Sequence, residues 1–326
     1  MDDSALKRVS FQIQEADLLY DAGRYEDAQH QYAAIADRLA IERNPHSEEL
    51  RANALRDCAS CRFHMRDWSD SLAWYHKARD VSCSNRDEAG NPRDERGIAD
   101  AEAGLAGAYI AVRSYNQALH FARSARMRFE EDLNDPPGRL LCLSLMGEAL
   151  LKLGQIDVVI KELREVTESP GLVEQSDLAK LAARTAWLLG QAYLCARDHK
   201  GARKAFDYGR GVADGESDAE ARYRNWEGLG QCYELEQQLD QAHDKFMGSL
   251  SIAKHARLPE LVSAARKNLI RVLRNMGYPE DVSRVSLDAL PEGDARTRRK
   301  WIEEMLDPDR AEIPWWRRWW RFRRGR

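Results

Sequence analysis

The chain of 326 residues is poor in the residues that interrupt helices or cross-link a fold. It contains 10 prolines and 6 cysteines, and no apolar run reaches 18 residues. We therefore expect no helix that spans a bilayer. The cysteine content is far below that of a disulfide-stabilised domain, which favours reduced thiols and a cytoplasmic location. The first ten residues also lack the apolar stretch of a secretory signal.

Motifs of the large enzyme classes are missing as well. The sequence has no Gly-x-Ser-x-Gly, no His-Glu-x-x-His, no P-loop and no Gly-x-Gly-x-x-Gly after a strand. Each of these motifs positions a nucleophile, a pair of metal ligands or a phosphate cradle. The 8 histidines are scattered without a cluster. We expect a protein that is not an enzyme and that needs neither a cofactor nor a metal.

Charged residues and helix formers are abundant. Charged residues make up 32% of the chain, and the mean hydropathy is −0.65, which is typical of an array of exposed helices. Apolar residues reach 43%, enough to exclude a globally disordered chain. The composition therefore favours an elongated helical protein over a single-core enzyme.

A helical pattern recurs seven times along the chain. Each copy has a helical stretch with small residues, a short break, an alanine or another small residue, and then a bulky residue. The copies lie at 18–36, 61–78, 107–125, 146–166, 187–206, 226–246 and 269–282. Their breaks fall at Gly23, Arg66, Arg113, Gly154, Arg197, Gln237 and Gly277, separated by 40 to 47 residues. This near-constant period predicts stacked helical hairpins.

Residue sizes within a copy predict how its two helices pack. Gly190 and Gly230 stand where the first helix must approach its neighbour closely. Ala202 and Ala242 take the matching positions on the second helix, and bulky residues such as Phe206 fill the space toward the next hairpin. One hairpin cannot bury its apolar face alone, so neighbouring hairpins must cover it.

The pattern resembles the tetratricopeptide repeat (TPR) family. Trp226-x2-Leu229-Gly230-x2-Tyr233, followed by Ala242 and Phe246, carries the resemblance, and Leu189-Gly190-x2-Tyr193 with Ala202 and Phe206 repeats it. The long period is similar to that of kinesin-light-chain-like, polarity-adaptor-like and bacterial peptide-receptor-like arrays. The resemblance implies an all-α fold, a right-handed α-solenoid of about seven hairpins over residues 1–288. A C-terminal capping helix at 289–307 and a basic, Trp-rich tail at 308–326 follow it.

The same resemblance implies that the first helices line a concave groove. The predicted peptide-binding residues of its C-terminal half are Arg184, Trp187, Gln191, Arg224, Glu227, Gln231, Lys267, Asn268, Arg271 and Arg274. They form a mainly cationic, amide-bearing surface that favours an acidic segment. The first four copies instead place Asp17, Asp21, Asp57, Asp100 and Glu148 there, against Arg56 and Lys152. Ordinary solvated helix charges are the alternative interpretation.

Cys58 and Cys61, with His64 nearby, form the one short motif that could suggest a metal. A structural zinc site needs four ligands, and no second Cys-x-x-Cys follows. In the repeat register Cys61 takes the slot of Cys232 and other small packing residues. The sequence therefore predicts packing cysteines and no metal.

The C-terminal tail differs from the rest of the chain. Residues 314–326 hold six arginines and no acid, which leaves 44 basic against 54 acidic residues in 1–313. On a helix the four tryptophans and Phe322 fall on one arc and most arginines on the other, although Arg323 interrupts the apolar arc. These residues are Trp315, Trp316, Arg317, Arg318, Trp319, Trp320, Arg321, Phe322, Arg323 and Arg324. The composition favours an anionic membrane surface, with docking on a protein surface or single-stranded nucleic acid as alternatives.

These observations lead to one functional hypothesis and one alternative. The hypothesis is a non-enzymatic adaptor or scaffold, cytoplasmic or peripheral on the inner face of a membrane. It binds a peptide or protein segment in its groove and is tethered by its tail. The alternative is a peptide-sensing regulator of the bacterial type that switches a partner protein. The first repeat begins near residue 10, which leaves no room for the N-terminal effector domain that such regulators usually carry.

Overall fold

The computed structural model describes residues 3–42, 44–168, 176–214 and 218–277. Over these ranges the chain forms thirteen α-helices and one π turn, and no strand longer than the single bridge between Arg86 and Pro92. Among the described helices, none combines the length and the apolar character needed to cross a bilayer. The fold is an all-α array of helical hairpins, as predicted.

The chain divides into two compact units, Met1–Leu181 and Ala182–Arg326. The first unit contains α1 (Asp3–Asp21), α2 (Tyr25–Leu39), α3 (Pro45–His64), α4 (Trp68–Ser84), α5 (Glu95–Ala111), α6 (Tyr115–Met127), a π turn (Arg128–Asp132), α7 (Pro136–Lys152) and α8 (Ile156–Glu168). The division falls inside α9 (Ser176–Cys195). The second unit continues with α10 (His199–Asp214), α11 (Ala219–Leu235), α12 (Leu239–His255) and α13 (Pro259–Asn275).

All seven predicted breaks adopt the left-handed backbone conformation. The φ angles are 74° at Gly23, 61° at Arg66, 62° at Arg113, 72° at Gly154, 60° at Arg197, 59° at Gln237 and 88° at Gly277. At a representative break the Arg66 amide donates to the Phe63 carbonyl, and the Asp67 amide donates to the Arg62 carbonyl. This pairing satisfies the last carbonyls of the first helix and reverses the chain. The spacing of the breaks therefore predicted correctly the six hairpins that the described residues complete, α1/α2 to α11/α12.

Bulky residues of the second helices lie on glycines of the first helices. Phe206 of α10 lies on Gly190 of its own hairpin and on Gly228 of the next, since a Cβ at either glycine would come within 2.4 Å of its ring. Phe246 of α12 lies on Gly230 in the same way. Both phenylalanines are fully buried. Close approach at these glycines sets the packing of the hairpins, as the residue sizes predicted.

A buried carboxylate holds the middle of the N-terminal unit together. Glu102 of α5 is 1% exposed and accepts hydrogen bonds from Arg79 of α4 at 3.0 Å and from Arg128 of the π turn at 3.4 Å. Arg128 also pairs with Glu95 at the start of α5. The π turn thus places its arginine against the first helix of the preceding hairpin. One carboxylate therefore joins α4, α5 and the π turn.

The predicted cysteine pair is packed inside the N-terminal unit. Cys58 and Cys61 are free, fully buried thiols in one cluster with Ala16, Ala28 and Tyr32. Burial raises the pKa of Cys61 to about 12 and raises the pKa of Cys58 as well. In the described ranges no group of three or more His, Cys, Asp or Glu residues could hold a metal ion. The packing interpretation agrees with these surroundings.

Two predictions fall outside the described residues. The capping helix at 289–307 and the Trp/Arg tail at 308–326 both lie in the range 278–326. They stay predictions from the sequence.

Candidate functional site

All ten predicted peptide-binding residues lie on the first helices of the C-terminal unit. We call the surface that they form on α9, α11 and α13 the C-terminal face. Its residues are Arg184, Trp187 and Gln191 on α9, Arg224, Glu227 and Gln231 on α11, and Lys267, Asn268, Arg271 and Arg274 on α13. Side-chain contacts link each of these helices to the next. The following paragraphs describe these contacts in order along the unit.

Amide side chains bridge neighbouring first helices on this face. The Gln191 Nε2 atom lies 3.4 Å from the Gln231 Oε1 atom, which joins α9 to α11. Asn268 Nδ2 donates to Glu227 Oε1 at 2.7 Å, which joins α13 to α11. The same Glu227 oxygen accepts from the buried Tyr223 hydroxyl at 3.0 Å. Glu227 is therefore oriented by two neutral donors.

Arg224 connects α11 with the aromatic residue of α9. Its guanidinium lies 4.9 Å from the centre of the Trp187 ring, a geometry in which the ring face attracts the cation. Arg224 also donates to Glu220, one turn earlier on α11, at 3.0 Å from Nε and 2.5 Å from Nη2. The spacing of four residues between Glu220 and Arg224 is a signal of this pair that the sequence contained and that our prediction did not use.

Arg271 and Glu234 form a two-pronged ion pair between α13 and α11. Nε and Nη2 of Arg271 each lie 2.7 Å from one Glu234 oxygen. Asn275 Nδ2 reaches the same carboxylate at 3.3 Å. This pairing raises the pKa of Arg271. Planar pairing of this kind fixes the guanidinium and leaves the Nη1 side for another acceptor.

The remaining cations of the C-terminal face are exposed. Lys267, Arg184 and Arg274 each present an exposed side chain. The face therefore combines arginines held by carboxylates, the indole ring of Trp187, side-chain amides, and the oriented carboxylates of Glu227 and Glu234. The sequence placed its ten residues on the first helices but did not anticipate that Glu220 and Asn275 take part.

No protein-family model matches the chain, and no curated protein matches it by sequence. Comparison of folds gives clear matches to helical-repeat proteins. The apo form of RapI is 14% identical with a TM-score of 0.61, covering 90% of this chain and 99% of RapI. The apo quorum sensor NprR from B. thuringiensis is 13% identical with a TM-score of 0.58, covering 96% of this chain and 86% of NprR.

A third match was solved with a peptide. The Rap conjugation gene regulator of plasmid pLS20, in complex with the Phr* peptide, is 15% identical with a TM-score of 0.56. The match covers 92% of this chain and 76% of that regulator. These similarities establish the fold: a TPR-like, all-α helical repeat.

Proposed function

We propose that this protein is a non-enzymatic, peptide-binding adaptor of the TPR type, and that the peptide or protein segment binds on the C-terminal face. The observation that carries the proposal is the row of oriented side chains that links α9, α11 and α13. Amides at Gln191, Gln231 and Asn268 offer donors and acceptors that suit a peptide backbone. Such a row can follow an extended chain from one hairpin to the next.

The preference for an acidic segment rests on the arginines. Arg271 and Arg224 are held by Glu234 and Glu220 through Nε and Nη2. Each guanidinium therefore loses little side-chain entropy when a carboxylate of the ligand takes its remaining donors. Lys267 adds an exposed charge on α13.

The experiment measures the affinity for a fluorescein-labelled acidic peptide of glycine, serine and four glutamates. A charge-assisted contact contributes on the order of 1.5–3 kcal/mol, so Arg224→Ala with Arg271→Ala should weaken binding at least about tenfold. The matched control is Lys204→Ala with Lys254→Ala, which removes two exposed charges from second helices of the same unit. Equal loss in both pairs would mean that net charge alone attracts the peptide, and the proposal would fail.

A peptide-sensing regulator is the second candidate function. It is favoured by the extent of the fold match to NprR and to the Rap proteins, which reaches 96% of this chain for NprR. In this case peptide binding changes the shape of the protein and thereby its affinity for a partner. Small-angle scattering with and without saturating peptide separates the two candidates, because an adaptor keeps its radius of gyration.

Membrane tethering by the tail is a further part of the proposal and rests on composition alone. Residues 314–326 contain six arginines, whereas the rest of the chain is acidic. Each arginine near an anionic leaflet contributes roughly 1 kcal/mol of attraction. Full-length protein should float with phosphatidylserine vesicles at low salt. A variant with Trp315, Trp316, Trp319 and Trp320 changed to Ser should stay in the soluble fraction. Soluble wild-type protein would reject the tether.

A further inference from the structure

The third hairpin, formed by α5 and α6, contains the longest stretch of the chain without an acidic residue. Residues 103–129 include no Asp or Glu, although residues 1–313 hold 54 acidic against 44 basic residues. The same stretch contains Arg113, Arg123, Arg126 and Arg128, together with His120. This hairpin is therefore basic within a chain that is otherwise acidic.

Two of the four arginines are balanced inside the fold. The Arg126 Nη1 atom lies 2.6 Å from Glu162 of α8, and Arg128 donates to the buried Glu102 of α5 at 3.4 Å. Acids of other elements thus compensate both charges. These two arginines stabilise the packing of the hairpins and leave Arg113 and Arg123 to be explained.

Arg113 and Arg123 carry charges that the fold does not use. Both side chains are exposed, and neither makes a hydrogen bond or an ion pair within the described ranges. Arg113 is the break residue of its hairpin, with a φ of 62°. Glycine adopts this conformation without steric cost, whereas a residue with a Cβ atom does not. An arginine kept at such a position, with its side chain in solvent, favours a role for the guanidinium outside the fold.

The two arginines belong to one exposed row on the third hairpin. Asn116, His120, Arg123 and Met127 follow one another at intervals of four, three and four residues, so they share one side of α6. All four are exposed, and Met127 is 59% exposed. The buried alanines of α6 lie on its opposite side. Arg113 precedes the row at the break, and we call these five residues the basic stripe.

We propose that the basic stripe binds an acidic segment of a partner protein. Carboxylates of the segment pair with Arg113 and Arg123, because a planar guanidinium can hold one carboxylate through two parallel hydrogen bonds. The Asn116 amide serves the backbone of the segment, and an apolar side chain of the segment covers Met127. The stripe lies outside the C-terminal face, and this inference stands independently of the function proposed above.

The mixture of groups on the basic stripe favours a protein over a nucleic acid. Nucleic acids are held by many phosphate contacts, whose number sets the affinity, and the stripe offers only two exposed arginines. Arginine and methionine are, in contrast, enriched at interfaces between proteins. Met127 adapts its shape to a partner and loses its exposure to water when it is covered. A protein segment is therefore the partner that both the charge and the apolar side chain complement.

The test measures the affinity of the full-length protein for a fluorescein-labelled helical peptide of alanine, leucine and six glutamates. Every protein in the test carries Arg224→Ala and Arg271→Ala, so that these arginines of the C-terminal face do not contribute. In this background Arg113→Gly with Arg123→Gln should weaken binding at least about tenfold. A second peptide has glutamine in place of glutamate. Equal affinity for the two peptides before the stripe is changed would overturn the proposal.

Arg66→Gly with Lys161→Gln is the matched control. Arg66 is an exposed break residue with a φ of 61°, like Arg113, but Asp67 follows it directly. Lys161 is an exposed cation of α8. The control removes the same number of charges, and its affinity for the glutamate peptide should stay within about twofold. An equal loss in the two double variants would mean that net charge alone attracts the peptide, which contradicts a specific stripe.

Thermal unfolding separates binding from stability at the break. Arg113→Gly alone should unfold at the wild-type Tm or above it, because glycine relieves the left-handed conformation. Its affinity for the glutamate peptide should nevertheless fall about threefold, since one of the two cationic contacts is lost. A lower Tm together with the lost affinity would give Arg113 a structural role and would overturn its place in the stripe.

A second copy of this chain and a nucleic acid are the rival occupants. Light scattering should give the same molar mass for the wild-type protein and for Arg113→Gly with Arg123→Gln. A dimer formed by the wild-type protein alone would assign the stripe to a second copy. A labelled single-stranded oligonucleotide of equal charge should bind at least about tenfold more weakly than the glutamate peptide. Tighter binding of the oligonucleotide that disappears in the double variant would assign the stripe to a nucleic acid, and either assignment would replace the proposed partner.

Discussion

Asp57→Asn should stabilise the folded protein at neutral pH. The side chain of Asn has nearly the same shape, so the packing around α3 is kept. The substitution removes only the cost of holding an ionised carboxylate in partly buried surroundings.

The magnitude follows from the pKa. A rise from 3.8 to about 6 disfavours the ionised form by roughly 3 kcal/mol, at 1.36 kcal/mol for each pH unit. Asp57 is partly accessible to water, so solvent screening reduces this cost to about 1–2 kcal/mol. For a unit of this size we expect a rise in Tm of roughly 2–6 °C.

The pH dependence has a definite sign. The folded state binds the Asp57 proton more tightly than the unfolded chain does, because the folded pKa lies above 3.8. The carboxylic acid therefore carries no penalty below about pH 3.8, and the penalty grows to its full size as the pH rises through about 6. The gain from Asp57→Asn should accordingly be largest above pH 7 and small near pH 4.

Thermal unfolding followed by far-UV circular dichroism at pH 7.5 and at pH 4.2 measures both values. Asp70→Asn is the matched control, because Asp70 is an exposed acid at the start of α4, and it should change Tm by less than about 1 °C at either pH. A fall in Tm at pH 7.5, or an equal rise at both pH values, would refute the reasoning.

Two further substitutions test the packing. Glu102→Gln should lower the free energy of unfolding by about 3 kcal/mol, because Arg79 and Arg128 lose a carboxylate that is 1% exposed. A urea titration measures this free energy. An unchanged urea midpoint would show that the two ion pairs contribute nothing to stability. Gly228→Ala should lower the free energy of unfolding by about 1–3 kcal/mol, since the new Cβ would lie 2.4 Å from the Phe206 ring. Adding Phe206→Leu to this variant should restore part of the lost stability. A further loss of stability in the double variant would contradict the steric account.

The period of the sequence located seven helix breaks in advance, but it did not mark Arg257, whose φ is 56° between α12 and α13. A break needs a residue that can adopt a positive φ. One such residue is required in each copy of about 40 residues. Glycine takes this role at Gly23, Gly154 and Gly277, whereas Arg66 and Arg113 accept the same conformation with φ near 60°. Composition alone would not have selected these arginines. Their place in the repeat identified them, because the local backbone of a hairpin is encoded within one copy.

The candidate sites were predictable only in part. The register placed Arg271 and Asp57 on first helices, and both lie there. The repeat register could not predict which carboxylate pairs with each arginine. Glu234 and Arg271 are 37 residues apart in the sequence and pair across neighbouring hairpins. The π turn at Arg128–Asp132 also went unpredicted; its buried Phe129 ring lies against Gly138 of α7.

The sequence by itself determined the helical hairpins, their breaks and the size matching of glycine with phenylalanine. These features depend on residues within one repeat or its immediate neighbour, and local sterics decide them. Tertiary structure alone decided which charges are balanced. Arg271 pairs with Glu234 of α11, whereas burial raises the pKa of Asp57 and Arg56 offsets that rise only in part. The difference arises because pairing depends on side-chain orientation and burial across helices, which no repeat pattern encodes.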